Sequence, residues 1–169
     1  MKSSRKILLD ADVIIHFCKG DQILLLPKIF DEEKVILDVV MNELQKRRDL
    51  RQYYNNLISF RLFREISFDN EPVVIREYTR LTKLFGHGES ACLAYCRFHK
   101  DIVGSSNTRD IIEYCKEHSI IYYTTMDFLS EAYHRDMMDK AQCDLFIYNV
   151  ISKGSRLPFS KLDEFLLSK

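Results

Sequence analysis

Acidic and amide side chains interrupt apolar runs at four places in this chain. Asp10 and Asp12 lie in ILLDADVIIHF, Glu43 in VVMNEL, Glu89 in GHGES and Asn107 in IVGSSNTRD. Carboxylates in such settings are costly to bury without partners. Gathered together without a cation, they would repel one another and take up protons. Gathered around one, they form the all-oxygen donor set that Mg²⁺ and Mn²⁺ select. A cation so held can activate a water and neutralise charge on a phosphate in transfer.

Such chemistry needs elements that bring distant residues to one place. KILLDA reads as a buried strand ended by the aspartates, followed by a helix over Val13 to Cys18 that closes at Gly20. QILLLPKIF reads as a second short helix interrupted near Pro27. A strand over Val35 to Leu37 passes into a helix near Val39 that carries Glu43, and Asp49 to Ser59 reads as a further helix. LFREISF is a short strand or extended piece, and Asn70 with Pro72 marks a helix start, Asn70 as cap. That helix runs to Gly86, where GHGES breaks the chain and Glu89 opens the next helix. DIVGSS and IIYYTT are strands, each followed by a helix. AQCDLFIYNVIS is helical, and SKLDEFLL is a small terminal helix with Ser160 as its cap.

Strands alternating with helices predict βα crossovers, a mostly parallel sheet and helices on both faces. Sites in such sheets form beyond the carboxyl ends of the strands. By that rule Asp10, Asp12, Asn107 and Asp127 all follow strands, while Glu43 and Glu89 sit in first turns that can face the same edge.

The bulk properties bound the reading. With 169 residues the chain supports one domain with a real core. At 46% apolar and 30% charged, it is expected to be globular rather than disordered. Lys+Arg and Asp+Glu are equal, at 25 each, so any affinity for nucleic acid must come from a local surface. The five cysteines form no framework spacing and read as reduced thiols of a cytoplasmic protein. No signal peptide or membrane span is evident.

A local basic surface is available. QKRRDLRQYYNNLISFRLFR carries Lys46, Arg47, Arg48, Arg51, Arg61 and Arg64, interleaved with Tyr53, Tyr54, Phe60 and Phe63. Cations that track phosphates beside aromatic platforms hold single-stranded RNA. A solvated helix face with core aromatics has the same pattern. His87, between two glycines, is a candidate phosphate contact or an ordinary turn histidine. Cys92 and Cys96 share a helix face but lack a second Cys/His pair for zinc, so they read as buried apolar residues.

At these residues the chain resembles the PIN-domain family. ILLDADVIIHF is similar to its opening strand and Asp, VVMNEL to its second acidic motif, GHGESACLAYC to its third and IVGSSNTRD to its fourth. The resemblance covers residues 7 to 127. It implies a three-layer α/β/α domain over 1–140, with 141–169 as a helical extension packed on it. It also implies a Mg²⁺- or Mn²⁺-dependent endoribonuclease of single-stranded RNA, of the kind found as toxins paired with an antitoxin protein. Asp10, Glu43 and Glu89 would then be catalytic metal ligands, with Asp12 and Ser105 supporting and Arg47, Arg48, Arg51 and His87 facing RNA. The chain departs from the pattern at Asn107, where the family has Asp. Two readings follow: Asp127 replaces the missing ligand charge, or the fold is a silent module that binds RNA or protein. Asp110 is expected to point elsewhere. DAD also resembles the DxD opening of haloacid dehalogenase-type phosphatases, which would leave Glu43 and Glu89 unexplained. The apolar face of the tail, with Leu145, Phe146, Tyr148, Val150 and Ile151, is a candidate to pack on the core or on a partner, and a homodimer is a separate expectation.

Overall fold

The computed structural model describes residues 4–169. Strand β1 (Lys6–Leu9) leads into α1 (Ala11–Lys19), β2 (Glu33–Leu37), α2 (Asp38–Lys46) and α3 (Arg51–Phe60). β3 (Arg64–Ile66), α4 (Pro72–Leu81), α5 (His87–His99), β4 (Ile102–Gly104) and α6 (Thr108–Glu117) follow. β5 (Tyr122–Tyr123), α7 (Thr125–His134), α8 (Lys140–Ser152) and α9 (Leu162–Leu167) complete the chain.

The five strands form one sheet in the order β3-β2-β1-β4-β5, and every pairing is parallel. Ile7, Leu8 and Leu9 are all fully buried, although successive strand side chains point to opposite faces. Both faces of β1 are therefore covered, as a parallel sheet requires, which gives a three-layer α/β/α architecture. Helix α5 packs across β1, β2 and β4, while α1 packs against α2, α3 and α8.

The strand order places a switch point at the centre. From β1 the chain moves outward to β2 and β3, then returns past β1 to β4 and β5. Connections leaving β1 and β4 diverge there, and the gap between them is where sites form in open parallel sheets. Leu9 pairs with Gly104, and Asp10 N–H donates to the Gly104 carbonyl at 2.8 Å. The residues just past both strands are thus held side by side.

The C-terminal segment packs on the rest of the chain. Phe146 of α8 packs on Phe17 of α1 with the rings tilted by 57° and their centroids 4.9 Å apart. A Cβ on Gly20, at the end of α1, would fall 2.2 Å from the Phe146 ring, so this approach needs glycine. Of the apolar face expected on the tail, Phe146 and Val150 join the core, whereas Leu145, Tyr148 and Ile151 stay exposed. Helix α9 rests on α7 and α8, and Leu162 N–H donates to Asp144.

Local expectations fail at four points. Gln22 to Phe30 holds only a 3₁₀ turn at Leu26–Lys28. Its buried residues Ile23, Leu26 and Ile29 recur every three positions, which suits three residues per turn as well as an α-helix. Asn70 does not cap α4; the cap position is Glu71, and Asp69 accepts the Glu71 N–H. Ser160 does not cap α9, which begins after Lys161, because Ser160 is engaged with Glu164. The break falls earlier than expected: α4 ends at Leu81 rather than at Gly86, Gly86 is the N-cap of α5, and His87, Gly88 and Glu89 form its first turn.

Candidate active site

Asp10 ends β1 and is the N-cap of α1, where its Oδ1 accepts the Ala11 N–H at 2.8 Å. Capping leaves the rest of the carboxylate directed past the strand end. Glu43 comes from α2 and Glu89 from the first turn of α5. Gly88 marks where they meet. A Cβ built on it would lie 2.7 Å from Glu43 Oε2 and 3.3 Å from Asp10 Oδ1. Two carboxylates from different elements therefore press against the backbone of the residue before Glu89, a closeness that the missing side chain permits.

Glu89 is buried, and its Oε1 has no hydrogen-bond partner. Its Oε2 accepts from the Asn107 amide at 3.3 Å, and the same amide nitrogen donates to Asp110 Oδ2 at 2.9 Å. Asp110 thus belongs to the cluster, contrary to the expectation that it points elsewhere. Asn107 is the N-cap of α6, and residues three apart share one side of a helix start.

Asp12 is tied down by backbone donors. Val13 N–H reaches its Oδ1 at 2.7 Å and Ser106 N–H its Oδ2 at 3.0 Å. Ser105 Oγ lies 3.5 Å from the same Oδ2 and accepts the Asn107 N–H at 3.3 Å. Asp12 and Ser105 together fix the loop that carries Asn107. Behind it, Ser106 Oγ meets Thr125 Oγ1, which also bonds buried His16. Burial pushes the His16 imidazole down to about 4.

The electrostatics show what the cluster lacks. Burial first, then the neighbouring charges of Asp12 and Glu43, hold Asp10 well above the usual carboxylate range. Burial pushes Asp12 up to about 7, with Glu89 adding to it. Glu89 rises to about 8, through burial first and then Asp10 and Asp110. These are carboxylates short of positive charge. Among the described residues, no group of three or more His, Cys, Asp or Glu side chains is placed so that it could hold a metal ion together.

Asp127, the expected substitute ligand, is engaged at the start of α7. Its Oδ2 accepts from Thr124 N–H and Oγ1 in the capping box of α7, and its Oδ1 pairs with Lys169 at 3.0 Å. Its place after β5 suggested a ligand, but the helix start claims the side chain. The basic stretch lies further out. Arg47 pairs with Asp49 at 2.8 Å, Arg51 reaches the Gln45 carbonyl, and Arg48 is exposed. Its aromatics divide: Tyr53, Tyr54 and Phe63 pack against the core, while Phe60 is exposed. His87, exposed at the start of α5, meets the Tyr78 hydroxyl at 3.0 Å. Cys92 and Cys96 are fully buried, free thiols on α5.

Sequence reasoning set Asp110 aside on its three-residue spacing from Asn107, the very spacing that brings the two together, and it did not single out Gly88 or Ser106. Nothing in the sequence marked the Ser106 N–H as the partner of Asp12.

No protein-family model matches the chain, and no curated protein matches it. Among solved structures, a chain in a structure of FitAB bound to an IR36 DNA fragment is similar. The match has a TM-score of 0.49 and 14% identity, covering 70% of this chain and 94% of that one. The likeness is too distant to assign a family or an activity. Among the described residues, no helix is long and apolar enough to cross a membrane.

Proposed function

We propose that the chain is a metal-dependent endoribonuclease that hydrolyses phosphodiester bonds of single-stranded RNA. The observation that carries this reading is the convergence of Asp10 and Glu43 on the backbone at Gly88, beside the buried and unpartnered Oε1 of Glu89. The residues fit a hard divalent cation: all donors are oxygen, one is orphaned, and the acids are starved of positive charge. Asp10, Glu43 and Glu89 would hold Mg²⁺ or Mn²⁺, with Asn107 and Asp110 alongside. A cation there would supply the charge that activates water and steadies the phosphate in transfer.

The protein's own groups have distinct tasks. Glu89 Oε1 is free to accept from a water or take its proton. Asp12 and Ser105 orient the loop before α6. Asn107 caps α6 without a side-chain bond to the helix backbone, which leaves first-turn N–H groups available to a phosphate. Arg47, Arg48, Arg51 and His87 are proposed to meet RNA. A toxin role, with an antitoxin protein as partner, belongs to the same reading.

Incubating single-stranded RNA with the purified chain and MnCl₂ tests this. Cleavage should fall at least about 100-fold in Asp10→Asn, with the thermal unfolding profile retained. Unchanged cleavage in that variant would overturn the reading.

A second reading is a module that binds RNA or protein without cutting. The Asn107 amide favours it, because it already bridges Glu89 and Asp110 where a charge-bearing ligand is expected. Calorimetric titration with Mn²⁺ separates the two, since the module predicts no saturable binding. The phosphatase reading has less support, because backbone N–H groups occupy both Asp12 oxygens that would serve as its acid/base.

A further inference from the structure

A pocket of about 270 Å³ lies beyond the carboxyl end of β5, walled on one side by the segment between α8 and α9. Its lining includes Ser106, Thr108, Tyr122, Arg156, Phe159 and Lys169. We propose that this pocket is a nucleotide subsite: the C-terminal extension completes the substrate groove and holds the residue of single-stranded RNA next to the bond that is cut. The position of that bond rests on the nuclease reading above.

Three observations point to an RNA nucleotide. The first is continuity with the acidic cluster. Ser106 lines the pocket, and its N–H donates to Asp12 at 3.0 Å, so one residue touches both the pocket and the acidic cluster. Thr108, also on the pocket, opens α6, whose first turn has no side-chain cap, and there only the Asp110 N–H is taken up, by the Asn107 carbonyl at 3.3 Å. A strand crossing from the cluster into the pocket would pass that helix start, where phosphates are readily held.

The second observation is charge. The acid on the pocket wall, Asp127, is paired with Lys169 at 3.0 Å. Arg156 makes no ion pair or hydrogen bond with the described residues. The pocket therefore carries one uncompensated cation beside a strongly acidic cluster, in a chain whose formal net charge is zero. An unpaired guanidinium there suits a phosphate or the face of a base.

The third is the wall chemistry. Phe159 and Phe165 hold each other edge to face, with centroids 5.6 Å apart, and Tyr122 stands at the strand end. The Thr108 and Tyr122 hydroxyls make no hydrogen bonds with the described residues, which leaves donors and acceptors for base edges or a 2′-hydroxyl. Aromatic walls with a free arginine and unspent hydroxyls are the composition of single-strand stacking sites. At about 270 Å³ the space suits one base and its sugar, and it is too small to enclose an element of a protein partner.

The test uses the full chain carrying Asp10→Asn, so that RNA survives the titration, and a fluorescein-labelled single-stranded RNA decamer read by anisotropy. Adding Arg156→Ala should weaken binding about 5- to 10-fold and make the slope of log K against log salt shallower by about 0.7, one phosphate contact on a single strand. Arg156→Lys should restore the slope. Phe159→Ala should weaken binding by a similar factor with the slope unchanged. In the parent with MnCl₂, Arg156→Ala should raise KM and spare kcat. If the parent cleaves RNA while Arg156→Ala matches it in affinity and slope, the subsite is overturned and the nuclease reading stands. If Arg156→Ala weakens binding to a chain that never cleaves, the subsite stands and the nuclease reading falls. Absence of RNA binding by the starting chain overturns both.

Discussion

The Asn107 side chain donates to Asp110 Oδ2 at 2.9 Å, and the same nitrogen lies 3.3 Å from Glu89 Oε2. One neutral amide therefore separates two acids at the point where the cluster is shortest of charge. Asn107→Asp would replace that donor with a third carboxylate. Without metal, the variant should lose about 1–2 kcal/mol at pH 8. With MnCl₂ it should gain more thermal stability than the parent does. Melting curves in EDTA and in MnCl₂ check this, and equal Mn²⁺-induced shifts in the two proteins would contradict it.

Metal-free stability should depend on pH in a defined direction. Asp12 and Glu89 rise to about 7 and about 8 in the folded chain, above their ordinary values of 3.8 and 4.5. The folded state then keeps protons that the unfolded state releases, so stability is full below about pH 4 and is lost as pH rises through about 8. Urea unfolding in EDTA should give a smaller free energy at pH 8 than at pH 5. Glu89→Gln should flatten that difference.

Glu77 sets the acid side. It ties α4 to α6 through the Tyr114 hydroxyl at 2.7 Å and to α5 through Arg97 at 2.9 Å, and it pairs with Arg80 of its own helix at 2.7 Å. The Arg80 hydrogen bond foremost, with Tyr114 and Arg97, holds its carboxyl down to about 2. That contribution is present above about pH 4.5 and is lost as pH falls towards 2. Glu77→Gln should cost about 2 kcal/mol in urea at pH 7, with cleavage spared. A change below about 0.5 kcal/mol would show the clasp to be idle.

Two glycine substitutions should separate site from core. In Gly88→Ala the new methyl meets the tip of the Glu43 side chain at 2.7 Å, which can move aside. Unfolding should change by less than about 1 kcal/mol, while Mn²⁺ affinity by calorimetry falls about 10-fold. In Gly20→Ala the methyl meets the Phe146 ring at 2.2 Å inside the core. That variant should lose about 1–3 kcal/mol and keep its Mn²⁺ affinity. Matching effects in the two variants would refute the separation.

Apolar runs and their punctuation make much of the fold legible. Ile7 to Leu9 and Val35 to Leu37 are continuous apolar stretches because both faces of the sheet are covered, and the helices between them follow from parallel pairing. Where local pattern admits two structures, the reading fails. The three-residue spacing of Ile23, Leu26 and Ile29 fits a 3₁₀ turn and an α-helix equally, and packing chose the turn.

By itself, the sequence determined the α/β class with a mostly parallel sheet and marked Asp10, Glu43 and Glu89 as acids at element boundaries. Periodicity and turn chemistry are local, so they survive in one dimension. Only the tertiary structure decided who joins whom. It brought Glu43 of α2 against Gly88 of α5, drew Asp110 in through Asn107, and committed Asp127 to the start of α7 and to Lys169. It also laid Arg156 and Phe159 beside Ser106, about 50 residues away along the chain. Contacts between such distant residues depend on crossover geometry and on competition for hydrogen bonds, and neither is written in the neighbourhood of any one residue.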